Sequence, residues 1–165
     1  MSVRALPALG PVRKLEVPQE SERMLSNGLC VRAIRRPSVP LVELRLRIPF
    51  ARAHLARAEL LAQTLFTGTG TMSTRDIATG LQAVGGGLSA GVDPDWLIIS
   101  GNGLVTGLDR ILEILAEVLT DAAYPSDEVA TERDRLIDRI QVANSQPAHL
   151  VRVALLKRMY GEHPY

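Results

Sequence analysis

From Val42 to Ile48 apolar and polar residues alternate without a break, with Glu43, Arg45 and Arg47 opposing Val42, Leu44, Leu46 and Ile48. A period of two sends successive side chains to opposite faces, so this segment is expected to be a half-buried strand of an antiparallel or mixed sheet. Pro37 and Pro40 separate it from an earlier strand at about 29–36, which Asn27-Gly28 introduces as a turn. Residues 1 to about 20, with Pro7, Pro11 and Pro18, hold no stable period and read as an extended arm, leaving 21–165 as one domain.

The period then changes. Ala58, Leu61, Ala62 and Leu65 fall at i, i+3, i+4 and i+7, which predicts an amphipathic helix over 54–66. Ser73-Thr74-Arg75-Asp76 has the form of a capping box, opening a helix whose Ile77, Leu81 and Val84 face inward until Gly85-Gly86-Gly87 ends it. Strands near 87–92 and 96–101 flank a hairpin turn at Asp93-Pro94-Asp95. Leu104, Leu108, Ile111, Leu112, Leu115, Val118 and Leu119 mark a further amphipathic helix. Pro125-Ser126 caps a long helix to about 145, and Pro147 opens a last one that stops at Gly161. Helices packed on one face of a mainly antiparallel or mixed sheet make a two-layer α+β sandwich.

Composition narrows the function classes. With 165 residues, 46% hydrophobic and 22% charged, the chain can build one ordinary globular core. A net charge of +1, without clustered basic residues, gives no footprint for nucleic acid or an anionic membrane. No apolar run approaches the roughly 18 residues of a membrane span. Arg4 and Arg13 precede no continuous apolar stretch, so no secretory signal is read and a cytoplasmic setting is expected. Cys30 cannot form an internal disulfide, and its place in an apolar strand pattern predicts a buried structural thiol. His54, His149 and His163 lie far apart, with no Cys or His at ligand spacing, and read as surface or locally bonded residues. Asp93 and Asp95 are explained by their turn without a cation. Neither the triple glycine nor Gly68-Thr69-Gly70-Thr71 has the context of a nucleotide or phosphate loop.

Several segments, in order, resemble the inverted-motif zinc peptidases of the insulinase, pitrilysin and mitochondrial processing peptidase family. Leu65-Phe66-Thr67-Gly68-Thr69 is similar to the L-F-x-G-T that follows their H-x-x-E-H motif. Ser26-Asn27-Gly28-Leu29 with Val31 resembles their first strand, and Gly85 to Ala90 their G-G-x-x-N-A turn and edge strand. Glu132-Arg133 resembles the E-[RK] of the helix carrying the third ligand, and Tyr160-Gly161 with His163-Pro164-Tyr165 matches Y-x-x-H-P-Y. The resemblance runs over roughly residues 20 to 165 and reads the chain as the N-terminal part of such a peptidase domain.

In that register the two metal-binding histidines fall on Glu59 and Gln63, the catalytic glutamate on Ala62, and the third ligand on Arg139, seven residues after Glu132. Glu132 matches a supporting glutamate that is not a ligand. Catalytic zinc needs three protein ligands and a water, and the water needs a base. The resemblance therefore implies a peptidase fold with no peptidase chemistry, no cofactor in this chain, and zinc only in an active partner. Glu59 and Arg139 either form an ion pair across the vacated metal site, with Gln63 as hydrogen-bond partner, or are ordinary solvated helix residues. Ser89, Ala90 and Gly91 either pair with a peptide backbone, as the edge strand does in active relatives, or form a protected sheet edge.

The expected function is a non-catalytic subunit that encloses and binds peptide beside an H-x-x-E-H-containing subunit or second half-domain. A scaffolding homologue without a peptide role is the alternative; an active zinc endopeptidase with other ligands is a more remote one.

Overall fold

The computed structural model describes Gly10, residues 17–50 and residues 54–161. Most of the expected arm and the His163-Pro164-Tyr165 motif lie outside the described residues. The chain divides into two units, Met1–Val39 and Pro40–Tyr165.

In the first unit, β1 (Glu20–Met24) pairs antiparallel with β2 (Cys30–Ile34), Met24 facing Cys30 across the turn. Asn27-Gly28 forms that turn: Gly28 sits at φ 85°, and the Asn27 side chain accepts from the Leu29 amide at 3.1 Å. β1 lay hidden in the sequence because Glu20-Ser21-Glu22-Arg23-Met24 has no apolar alternation. Its pairing instead carries charge complementarity, Arg32 of β2 lying 3.0 Å from Glu22 and 3.6 Å from Glu20. Cys30 is exposed, contrary to the burial expected from its pattern. A two-stranded hairpin has no interior of its own, so apolar residues on it gain no cover from pairing alone.

The second unit holds the core. β3 (Leu41–Pro49), β4 (Gly87–Val92) and β5 (Trp96–Leu104) form an antiparallel sheet in the order β3-β5-β4. Leu46, Ile99 and Ala90 stand in one row on the inner face, while Arg45, Ser100 and Ser89 stand in one row on the outer face. The inner face packs on α1 (Leu55–Thr64), α2 (Thr74–Ala83) and α3 (Leu108–Thr120) through a cluster including Leu65, Ile77, Leu81, Ile99, Ile111 and Ile114. This is the expected two-layer α+β arrangement. On the outer face Arg47 lies 4.6 Å from the centre of the Trp96 ring, a cation–π contact.

Element ends follow their local chemistry. The Ser73–Asp76 capping box forms in full, and its hydrogen bonds to Ser73 hold the Asp76 carboxyl below its ordinary range. Leu104 belongs to the end of β5 rather than to the following helix, and a single 3-10 turn (Val105–Gly107) joins the two. The buried stripe of α3 is Ile111, Ile114, Leu115 and Val118; Leu112 and Leu119, expected inward, lie at its margin and are exposed. Leu61 is likewise exposed beside the buried Ala58, Ala62 and Leu65. The Ile111 Cδ1 atom fills the space a methyl group would need on two glycines, 2.7 Å from that position at Gly86 and 2.5 Å at Gly103.

α4 (Ser126–Asn144) and α5 (Pro147–Tyr160) complete the unit, α4 contacting α1 and α5 contacting α4. Neither buries a described residue; Ile137, Ile140, Leu150, Val151, Leu155 and Met159 are all exposed. No helix among the described residues is long and apolar enough to cross a membrane.

The loop after α1 is sewn to the end of α3 by two carboxylates, Glu117 and Asp121. Glu117 Oε1 accepts from the Thr69 hydroxyl at 2.5 Å and also from the Thr71 hydroxyl. The Thr69 oxygen in turn accepts from the Met72 amide at 2.9 Å and the Thr71 amide at 3.2 Å, and Asp121 accepts from the Gly70 amide. The Thr69 bond first, then the Thr71 bond, favours the ionised carboxylate and holds Glu117 below its ordinary value of 4.5. A depressed folded value means that this stabilisation is complete above 4.5 and disappears as pH falls through the folded value. Urea titrations of the protein and of Glu117→Gln should therefore show their largest midpoint difference at neutral pH, closing progressively below pH 4.5.

Candidate functional site

His54 precedes α1 as its N-cap, its Nδ1 accepting from the Ala56 amide at 3.3 Å. Ala58 and Ala62 are buried, and small side chains there let the helix approach its neighbours closely; α1 contacts both β4 and α4. Glu59 and Gln63, one turn apart, share a half-buried flank, where the Gln63 amide donates to Glu59 Oε1 at 3.3 Å. The hydrogen bond between these two motif positions is thus present.

The Glu59–Arg139 ion pair is not. Arg139 lies exposed in the second half of α4 and forms no ion pair among the described residues, while Glu59 is engaged by Gln63. The physical reason is exposure: a guanidinium that keeps its water gains little from an ion pair, and a surface pair must also hold two long side chains still. Glu132 does have a structural partner, missed in the sequence although the i, i+3 spacing announces it. Its side chain is only 16% exposed and meets Arg135 Nη1 at 2.5 Å.

The donor set does not fit zinc. The positions that the resemblance aligns with metal ligands offer a carboxylate already bonded to an amide, the amide itself, and an exposed guanidinium, and the one it aligns with the base offers the methyl group of Ala62. Among the described residues no three His, Cys, Asp or Glu side chains gather in metal-binding geometry.

Ser89, Ala90 and Gly91 lie on β4, which pairs with β5 on one side and with no other strand among the described residues. Ser89 is exposed on the outer face, and Ala90 packs against the core. A Cβ on Gly91 would meet nothing within 4 Å, so the sheet face is open there. The Asp93-Pro94-Asp95 turn is internally satisfied, Asp93 Oδ1 accepting from the Asp95 amide at 2.9 Å and the Trp96 amide at 2.7 Å.

Comparisons with known proteins identify the family and the fold. The profile of the family described as insulinase, peptidase family M16, matches residues 57–165. A protein named as an uncharacterized zinc protease of Mycobacterium tuberculosis is 29% identical over 107 residues, 65% of this chain and 24% of the relative. A similarly named protein of Bacillus subtilis is 24% identical over 106 residues, 64% of this chain and 26% of its own length. The chain thus spans about a quarter of these curated relatives. Among solved structures, the peptidase M16 inactive domain from Pseudomonas fluorescens superimposes with a TM-score of 0.78 at 24% identity, covering 89% of this chain and 37% of that one. A protease from Helicobacter pylori gives 0.70 at 19% identity, covering 81% and 34%. At these identities the two structures establish the shared fold.

The site geometry sets two stability outcomes against each other. Arg139→Ala should change the unfolding free energy by less than about 0.5 kcal/mol, as for a free surface residue, where breaking a buried pair would cost about 3–5 kcal/mol. Ala62→Glu, which forces an unpaired carboxylate into a buried position, should cost at least about 2 kcal/mol in the same denaturation assay.

Proposed function

Because this chain belongs to the insulinase family, peptidase family M16, and its motif positions do not suit zinc, we propose that it is a non-catalytic component of a peptidase. It encloses and binds peptide beside an active partner, either a separate subunit or a second half-domain that carries H-x-x-E-H and the zinc. One observation carries this reading: Glu59 and Gln63, which the resemblance aligns with two metal ligands, are bonded to each other, and Arg139, aligned with the third, is an exposed cation. A neighbouring fold described as an inactive M16 domain supports it.

The binding task needs no metal. A peptide laid along β4 adds a strand through main-chain hydrogen bonds, which need no particular side chain at Ser89, Ala90 and Gly91. Enclosure then excludes bulk water from the partner's site. The exposed thiol of Cys30 is consistent with a reducing, cytoplasmic setting.

The test is reconstitution with an H-x-x-E-H-containing relative. Zinc should follow the partner alone, and an unstructured peptide should be cut only by the mixture. N-methylation of alternate peptide amides should weaken binding at least ten-fold. Stoichiometric zinc in this chain, or cleavage by it alone, overturns the reading; a stable complex indifferent to peptide assigns a scaffolding role instead.

A further inference from the structure

The outer face of the three-stranded sheet is charged along β3 and bare along β4. Two of its rows run Arg45, Ser100, Ser89 and Arg47, Ile98, Gly91. A Cβ on Gly91 would meet nothing within 4 Å, so no described side chain stands over that part of β4. A side chain arriving from beyond the β4 edge can therefore lie flat across the second row.

The two arginines are held differently. Arg45 is occupied on its own strand, its Nε and Nη2 donating to Glu43 Oε1 at 2.8 and 2.6 Å. Arg47 reaches diagonally to β5 instead, where its guanidinium carbon lies 4.6 Å from the centre of the Trp96 ring. It forms no ion pair among the described residues. With one acid, Glu43, against two arginines, these outer rows keep one positive charge in excess. A guanidinium stacked on an aromatic face keeps its in-plane N–H groups for a carboxylate, which it grips in a two-pronged geometry.

On the reading that a peptide adds a strand at the β4 edge, we infer that the peptide side chain beside Gly91 is selected for a carboxylate, with Arg47 as the selecting residue. Strands are about 4.8 Å apart, so the added strand lies about 10 Å from β5. An extended glutamate reaches about 4–5 Å beyond its Cα, at bonds of about 1.5 Å each. Laid over Gly91 it covers half the gap, and Arg47, already leaning from β3 to Trp96 of β5, closes the rest. A lysine there meets like charge. An aromatic side chain would have to displace Arg47 from the ring it already covers.

The probes are unstructured nine-residue Ser/Thr peptides with a single central Glu, Gln or Lys, which sliding by two residues brings beside Gly91. Anisotropy of the labelled peptides reports binding anywhere on the whole protein, while Trp96, the chain's one tryptophan, reports this corner of the sheet by its fluorescence. At about 20 mM salt the Glu peptide should bind about three- to five-fold tighter than the Gln peptide, the scale of an exposed ion pair, with Lys weaker still. The gap should close at about 0.5 M salt. Arg47→Gln should bring the Glu peptide to the level of the Gln peptide, Arg47→Lys should keep part of the difference, and Arg45→Gln should keep all of it. Gly91→Leu, where a side chain has room, should remove the Glu advantage by covering its path.

Equal binding of the Glu and Gln peptides overturns the inference and leaves strand addition standing. So does a Glu advantage that survives Arg47→Gln, or a bound Glu peptide that leaves Trp96 fluorescence unmoved. Absence of binding by all three peptides overturns the strand-addition reading, and this inference with it.

Discussion

Ile99 on β5 and Ile111, Ile114 and Val118 on α3 have essentially no solvent exposure, and the position of everything else in the larger unit depends on their contact. Burying each such side chain contributes about 1.5–3 kcal/mol. The contribution is available only when the sheet's inner face and the helical layer are in one register. A slip of a single residue along β5 would turn Ile99 outward and present Ser100 or Ile98 to the core. The same register brings Ala90 of β4 beneath the helices, so β4 and α1 are placed by one apolar contact.

Much of this was legible wherever the pattern of side chains was itself the cause of the structure. Val42 to Ile48 alternates because one face is covered and the other is wet, and β3 shows that alternation along its length. The Ser73–Asp76 box and the Asp93 turn are local chemistry and formed as read. What escaped depended on partners distant in sequence. β1 exists because β2 lies across from it; Cys30 is exposed because its hairpin is only two strands wide; Leu112 and Leu119 lie outward because α3 is covered over a narrow stripe.

The candidate site divides along the same line. The Gln63–Glu59 bond joins residues one turn apart on a helix, and spacing alone announces it. Whether Arg139 would cross to Glu59 is a question of distance and desolvation between two helices, which no spacing rule contains. An apolar groove walled by Ile48 and Leu97 of two strands and by Leu61 and Val129 of two helices was unread as well, since residues so far apart in sequence share no local pattern. Glu59 and Gln63 form a polar flank of α1 that satisfies itself locally.

Ile111 occupies the volume that side chains at Gly86 and Gly103 would otherwise claim, one from the approach to β4 and one from β5. These three positions therefore behave as a single unit of exchange under mutational drift. A methyl group gained at either glycine has to be matched by carbon lost from position 111, and lineages that change one without the other surrender the close seating of α3 on the sheet.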